Sequence, residues 1–131
     1  MRVLADTNVL VSAVLFPRSK PATALKHIAV CHSLFICEQS VFELTDVLAR
    51  KAPHLLPSAR EWLAGMCYEL IPALGFMGVA IRDASDQPIL NAAIAYNMDV
   101  ILSGDKDFLA LGLDRPRCLT VAQFLEREGI V

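Results

Sequence analysis

Two kinds of apolar spacing alternate along the chain. Short, almost unbroken apolar runs at residues 3–5 (VLA), 34–37 (LFIC), 79–81 (VAI), 100–103 (VILS) and 118–120 (CLT) predict strands, and unbroken runs are what strands covered on both faces require. Between them, apolar residues recur every three or four positions. Val41, Leu44 and Leu48 in SVFELTDVLARK predict a helix over 40–51. A helix starts near residue 8 and reaches about 15. Another is capped by Ser19, with Pro21 in its first turn, and runs to about 30. Helices are also predicted over 58–70, 86–97 and 121–129. Ser40 with Glu43, and Ser58 with Glu61, stand at capping-box spacing. Residues 16–20 and the stretch between Pro53 and Pro57 read as loops, and Gly75 and Gly78 mark a turn.

Strands alternating with helices predict an α/β fold with a mostly parallel central sheet. The 131 residues suit one domain, 1–131, with one sizeable core. Hydrophobic residues make up 55% and mean hydropathy is +0.48, yet no run reaches the roughly 18 residues of a membrane span. The N-terminal apolar run carries Asp6 and lacks a well-placed cleavage site, so a cytoplasmic protein is expected. The four cysteines form no C-x-x-C pair and read as reduced, mostly buried thiols. The histidines, at 27, 32 and 54, are scattered. A net charge of −2 argues against a broad basic face for nucleic acid, unless bound cations supply positive charge locally.

The informative polar residues are acids at the joins. Asp6 separates the first strand from the first helix, inside VLADTNVLVSAVLF. Asp105 follows VILS by two residues. Glu43 and Asp86 stand at helix starts, with Asp83 and Asp107 close by in sequence. In a parallel sheet, strand carboxyl ends and helix N-termini share one edge, where ligands bind. Each acid has a plain explanation as a cap, a turn residue or a dipole partner. Together they repel, and Arg82 and Lys106 cannot neutralise four of them. A hard divalent cation can.

MRVLADTNVLVSAVL, SVFELTDVL, IRDASDQPILNAAIAYNMDVILSGDKDFLAL and LTVAQFLE together resemble the PIN-domain family, and within it the VapC-type toxin components of toxin–antitoxin systems. The resemblance runs from Met1 to Glu126. It implies a three-layer α/β/α sandwich and a ribonuclease dependent on Mg²⁺ or Mn²⁺. By the same resemblance Asp6, Glu43, Asp86 and Asp105 are the catalytic and metal-binding acids, with Asp83 an alternative to Asp86 as the third. Asn8, Asp83, Ser103 and Asp107 fall at supporting positions. The family chemistry is metal-assisted attack of water on phosphorus, leaving a 5′-phosphate and a 3′-hydroxyl. An antitoxin protein and a second copy of the chain are the implied partners, beside the RNA substrate and with no membrane involved. Arg18, Lys20, Arg50, Lys51, Lys106, Arg115 and Arg117 are the cations close in sequence to the acidic motifs, and so the candidates for RNA phosphates.

Other phosphate chemistries fit less well. A receiver domain needs an aspartate ending its middle strand, where LFIC is followed by Glu38, and a haloacid-dehalogenase-like phosphatase needs D-x-D where this chain has Asp6-Thr7-Asn8. The alternative that remains is a non-catalytic metal- or RNA-binding regulatory module of the same fold, because fold does not fix function. Loss of metal-dependent RNA cleavage on Asp6→Asn separates the two.

Overall fold

A computed structural model describes residues 1–130. Five strands form one sheet: β1 (Arg2–Ala5), β2 (Ser33–Cys37), β3 (Glu69–Ile71), β4 (Val100–Leu102) and β5 (Arg117–Leu119). Their order is β3-β2-β1-β4-β5 and every pairing is parallel. Seven helices connect them: α1 (Thr7–Leu15), α2 (Lys20–Cys31), α3 (Glu38–Lys51), α4 (Leu56–Gly65), α5 (Gln87–Ala95), α6 (Lys106–Leu109) and α7 (Val121–Arg127). No helix among the described residues is long and apolar enough to cross a membrane.

Side chains on a strand point alternately to its two faces, and here both faces are buried. Val3, Ala5, Leu34, Ile36, Val100 and Leu102 pack on one side with residues of α1, α2, α3, α4 and α7. Leu4, Phe35, Cys37 and Ile101 pack on the other with α5 and Phe108 of α6. That gives the three-layer sandwich, and it explains why the strands are unbroken apolar runs rather than alternating ones.

Two elements differ from the sequence reading. The helix expected over 58–70 stops at Gly65, and residues 69–71 become β3 on the open edge of β2. Trp62, Leu63, Met66 and Leu70 keep a helix-like spacing, so local periodicity does not reveal a strand created by a distant edge. Residues 79–81, expected as a strand, join no sheet. Their backbone bonds to amide side chains of α5 instead: Ile81 N–H donates to Gln87 Oε1 (3.0 Å), and Gln87 Nε2 donates to Val79 O (2.8 Å). Asn91 holds the same strap nearer its start, donating from Nδ2 to Leu74 O (2.9 Å) and accepting from Met77 N–H (3.4 Å).

Neither expected capping box forms. α3 begins at Glu38, so Ser40 lies inside the first turn and Glu43 in the second, while α4 begins before Ser58 with Pro57 in its first turn. A box does close α7, between Thr120 and Gln123. The cysteines are all free, but Cys31 and Cys67 are exposed, not buried: Cys31 ends α2 and Cys67 lies in the link to β3, where neither meets the core.

A candidate metal centre at the carboxyl edge of the sheet

From β1 the chain steps outward to β2 and β3, then crosses back to β4 and β5 on the far side of β1. The connections therefore reverse direction between β1 and β4, and a crevice opens there at the carboxyl edge. Asp6 leaves β1 into that crevice, and the 103–105 turn leaves β4 beside it. Asp6 N–H donates to Leu102 O (3.0 Å), which locks the two strand ends together.

Asp6 is 1% exposed and fully engaged. Its Oδ1 accepts from Thr7 N–H at the start of α1 (2.8 Å), and its Oδ2 accepts from the buried Ser103 hydroxyl (2.8 Å). Ser103 Oγ in turn accepts from Asp105 N–H (3.0 Å), so one hydroxyl connects the first acid to the fourth. Asp105 caps the short α6, accepting from Asp107 N–H (2.8 Å). Burial pushes the Asp6 carboxyl up to about 6 against the pull of its hydrogen bonds, and the charges of Asp105 and Glu43 push the same way.

Asp86 sits at the N-cap of α5 yet makes no capping bond, and its Oδ2 is buried without a partner. Burial, then the charges of Asp6 and Asp105, push its carboxyl up to about 8. Asp83 behaves oppositely. It is exposed, accepts from the backbone N–H and hydroxyl of Ser85 (3.0 and 2.8 Å), and is held below the usual carboxylate range by those bonds. Of the two acids in RDASD, Asp86 is the one with a buried oxygen left without a partner.

Asp83, Asp86, Asp105 and Asp107 each offer a carboxylate oxygen within 4.8 Å of the others. Asp6 and Glu43 lie outside that tightest group; the charge of Asp6 acts on Asp86, and that of Glu43 acts on Asp6. Glu43 accepts from Gln39 Nε2 (3.1 Å) one turn earlier on α3. Asn8 is exposed on the first turn of α1 and makes no hydrogen bond to the acids. An all-oxygen set with one orphaned buried carboxylate oxygen fits a hard divalent cation such as Mg²⁺ or Mn²⁺. Sequence reasoning passed over two further groups at this edge: the Thr7 and Ser40 hydroxyls, both buried without a partner. Their only local signal is adjacency to strand ends.

The crevice opens into a cleft of about 490 Å³ lined by Arg82, Asp83, Asp105, Lys106 and Asp107. Two cations therefore flank its mouth. Arg18 and Lys20 are exposed at the turn between α1 and α2, and neither lines this cleft. The remaining cations are not brought to the acids. Arg50 and Lys51 end α3, which runs away from the carboxyl edge, and Arg50 pairs with Asp46 (3.2 Å). Arg115 pairs with Asp99 (3.2 Å) and Arg117 begins β5, so both lie at the amino edge.

A family model described as PIN domain matches residues 2–107. No curated protein matches the chain. Among solved structures the fold is similar to a crystal structure of VapBC2 from Rickettsia felis bound to a DNA fragment from their promoter. The TM-score is 0.68 at 18% identity, over 92% of this chain and 98% of the matched chain. At that identity the likeness is one of fold.

Proposed function

The chain belongs to the PIN-domain family, and on that premise we propose that its acidic crevice is the active site of a metal-dependent endoribonuclease, the toxin of a toxin–antitoxin pair. The observation that carries the reading is Asp86: a buried carboxylate with an orphaned oxygen, pushed up to about 8, beside the acids of the β4–α6 turn and within reach of the Asp6 charge. Proteins rarely keep an uncompensated buried acid unless something binds it. Asp6, Asp86 and Asp105 would hold Mg²⁺ or Mn²⁺, with Glu43, whose charge reaches Asp6, as a further acid of the site. Bound there, the cation supplies Lewis-acid polarisation of a phosphodiester and of the attacking water.

The protein's own groups do the rest. Ser103 fixes the Asp6 carboxylate and the 103–105 turn in one geometry. Arg82 and Lys106 at the mouth would take the phosphates flanking the scissile bond. The toxin reading draws on the VapC-like motifs and on the fold likeness to VapBC2. Exposed Phe16, Phe42 and Phe76 offer apolar surface for an antitoxin segment or a second copy of the chain.

Digestion of mixed cellular RNA by the wild type and by Asp6→Asn, with Mg²⁺, Mn²⁺ or EDTA, tests the nuclease reading. Cleavage is expected only from the wild type with metal, leaving 5′-phosphate ends. No cleavage by a folded, metal-binding wild type would favour a binding module instead.

A further inference from the structure

Outside the acidic crevice, one other cluster of ligating side chains comes together among the described residues. His27 lies on α2, His32 caps the C-terminus of the same helix, and Glu128 caps the C-terminus of α7, about a hundred residues away in sequence. Both imidazole Nε2 atoms converge on the same carboxylate oxygen. His27 Nε2 stands 3.0 Å from Glu128 Oε1, and His32 Nε2 contacts it directly. All three side chains are roughly four-fifths buried. The ring of Phe124 meets both imidazoles edge-on, with centroids 6.3 and 6.1 Å away, and forms an apolar wall behind them.

We propose that His27, His32 and Glu128 form a second metal site, selective for a borderline transition-metal cation such as Zn²⁺. Two imidazoles and one carboxylate are a donor set that zinc accepts, with a fourth position left open. The set differs in kind from the all-oxygen crevice, which suits Mg²⁺ or Mn²⁺. It differs in place too. His32 immediately precedes β2, and the N-terminal amine before β1 lies 3.1 Å from His32 Nδ1, so the cluster is at the amino edge, across the sheet from the acids. Binding requires each Nε2 to present its lone pair, with the ring hydrogen on Nδ1, so the N-terminal ammonium, itself only a donor, must turn away from His32 Nδ1 as the ion binds. Tetrahedral zinc wants its ligand atoms about 3.3 Å apart. The three atoms already lie within 4.8 Å of one another, so small side-chain rotations suffice. A bound ion would tie α7 to α2.

The plainer account is a pair of imidazole–carboxylate hydrogen bonds that only staple α7 to α2, and zinc binding separates the two. The full chain is titrated calorimetrically with Zn²⁺ in excess Mg²⁺. The same titration is run on Asp86→Asn/Asp105→Asn, on His27→Gln and on Glu128→Gln, each checked for folding by circular dichroism. One equivalent of zinc is expected in the wild type and in the aspartate variant. Either His27→Gln or Glu128→Gln should weaken binding by at least about 100-fold, more than loss of an outer partner does. Co²⁺ added to the wild type should give the visible absorption of a four-coordinate site, a readout that needs no variant. Absence of zinc binding overturns the proposal, as does zinc lost with the aspartates and kept by the histidine variant.

Discussion

Asp86 and Asp6 have opposite surroundings although both are buried acids. Asp6 accepts two hydrogen bonds and is raised only to about 6, while Asp86 has an unpartnered oxygen and reaches about 8. This difference sets the pH dependence of the metal-free protein. Between 3.8 and about 8 the folded chain keeps a proton on Asp86 that the unfolded chain has released. Stability therefore falls as pH rises through that window. Asp6 adds a decline of the same sign up to about pH 6, so urea unfolding in EDTA should show the decline, Asp86→Asn should flatten it above about pH 6, and saturating Mg²⁺ should reverse it in the wild type alone. Ser103→Ala removes the hydroxyl shared by Asp6 and Asp105 without removing an acid. Metal-dependent RNA cleavage should drop about 10- to 100-fold, as for other partners that orient ligands, and Asp105→Asn should cost more.

The decisive feature among the elements is the strap over residues 74–81. Its backbone groups are satisfied by Gln87 and Asn91 of α5, which are joined by Gln87 Nε2 donating to Asn91 Oδ1 (2.9 Å). The clamp anchors the segment that delivers Arg82 and Asp83 to the crevice mouth. Asn91→Leu is expected to strand Leu74 O and Met77 N–H and to destabilise the fold by about 1–3 kcal/mol. Denaturant titration measures that cost, and amide exchange should speed up across 74–81 while β1 and β4 stay protected. A side-chain amide is an uncommon substitute for a sheet ladder, which is why VAI reads as a strand in isolation. The capping boxes carry the same lesson. S-V-F-E and S-A-R-E have the right letters, but the tertiary packing of α3 and α4 starts those helices earlier.

Across the whole molecule, charge is segregated between the two edges of the sheet. The carboxyl edge gathers the acids, with Arg82 and Lys106 at the rim, while Arg50, Lys51, Arg115 and Arg117 are elsewhere. If RNA enters at the mouth, Arg82→Glu with Lys106→Glu should raise KM for an RNA substrate about tenfold or more, and the effect should shrink at high salt. Arg50→Ala and Arg115→Ala, whose cations pair with Asp46 and Asp99, should leave KM unchanged. Steady-state cleavage of one labelled RNA at two salt concentrations measures both.

The sequence by itself determined the layers, because unbroken apolar strands and amphipathic helices report burial directly through their spacing. It also determined that acids stand at the joins, since a carboxylate between apolar segments is conspicuous in any local window. Sequence preferred Asp86 to Asp83 from its spacing to the Ala-rich helix, but could not show that the two differ in burial, which depends on what the fold packs over them. It could not find β3, whose strand character comes from the free edge of β2. It set His27 and His32 down as scattered, because their shared partner, Glu128, lies at the other end of the chain. All three of these features arise in tertiary structure for one reason: hydrogen-bond partners and desolvation are set by contacts between residues far apart in sequence, and no local pattern encodes them.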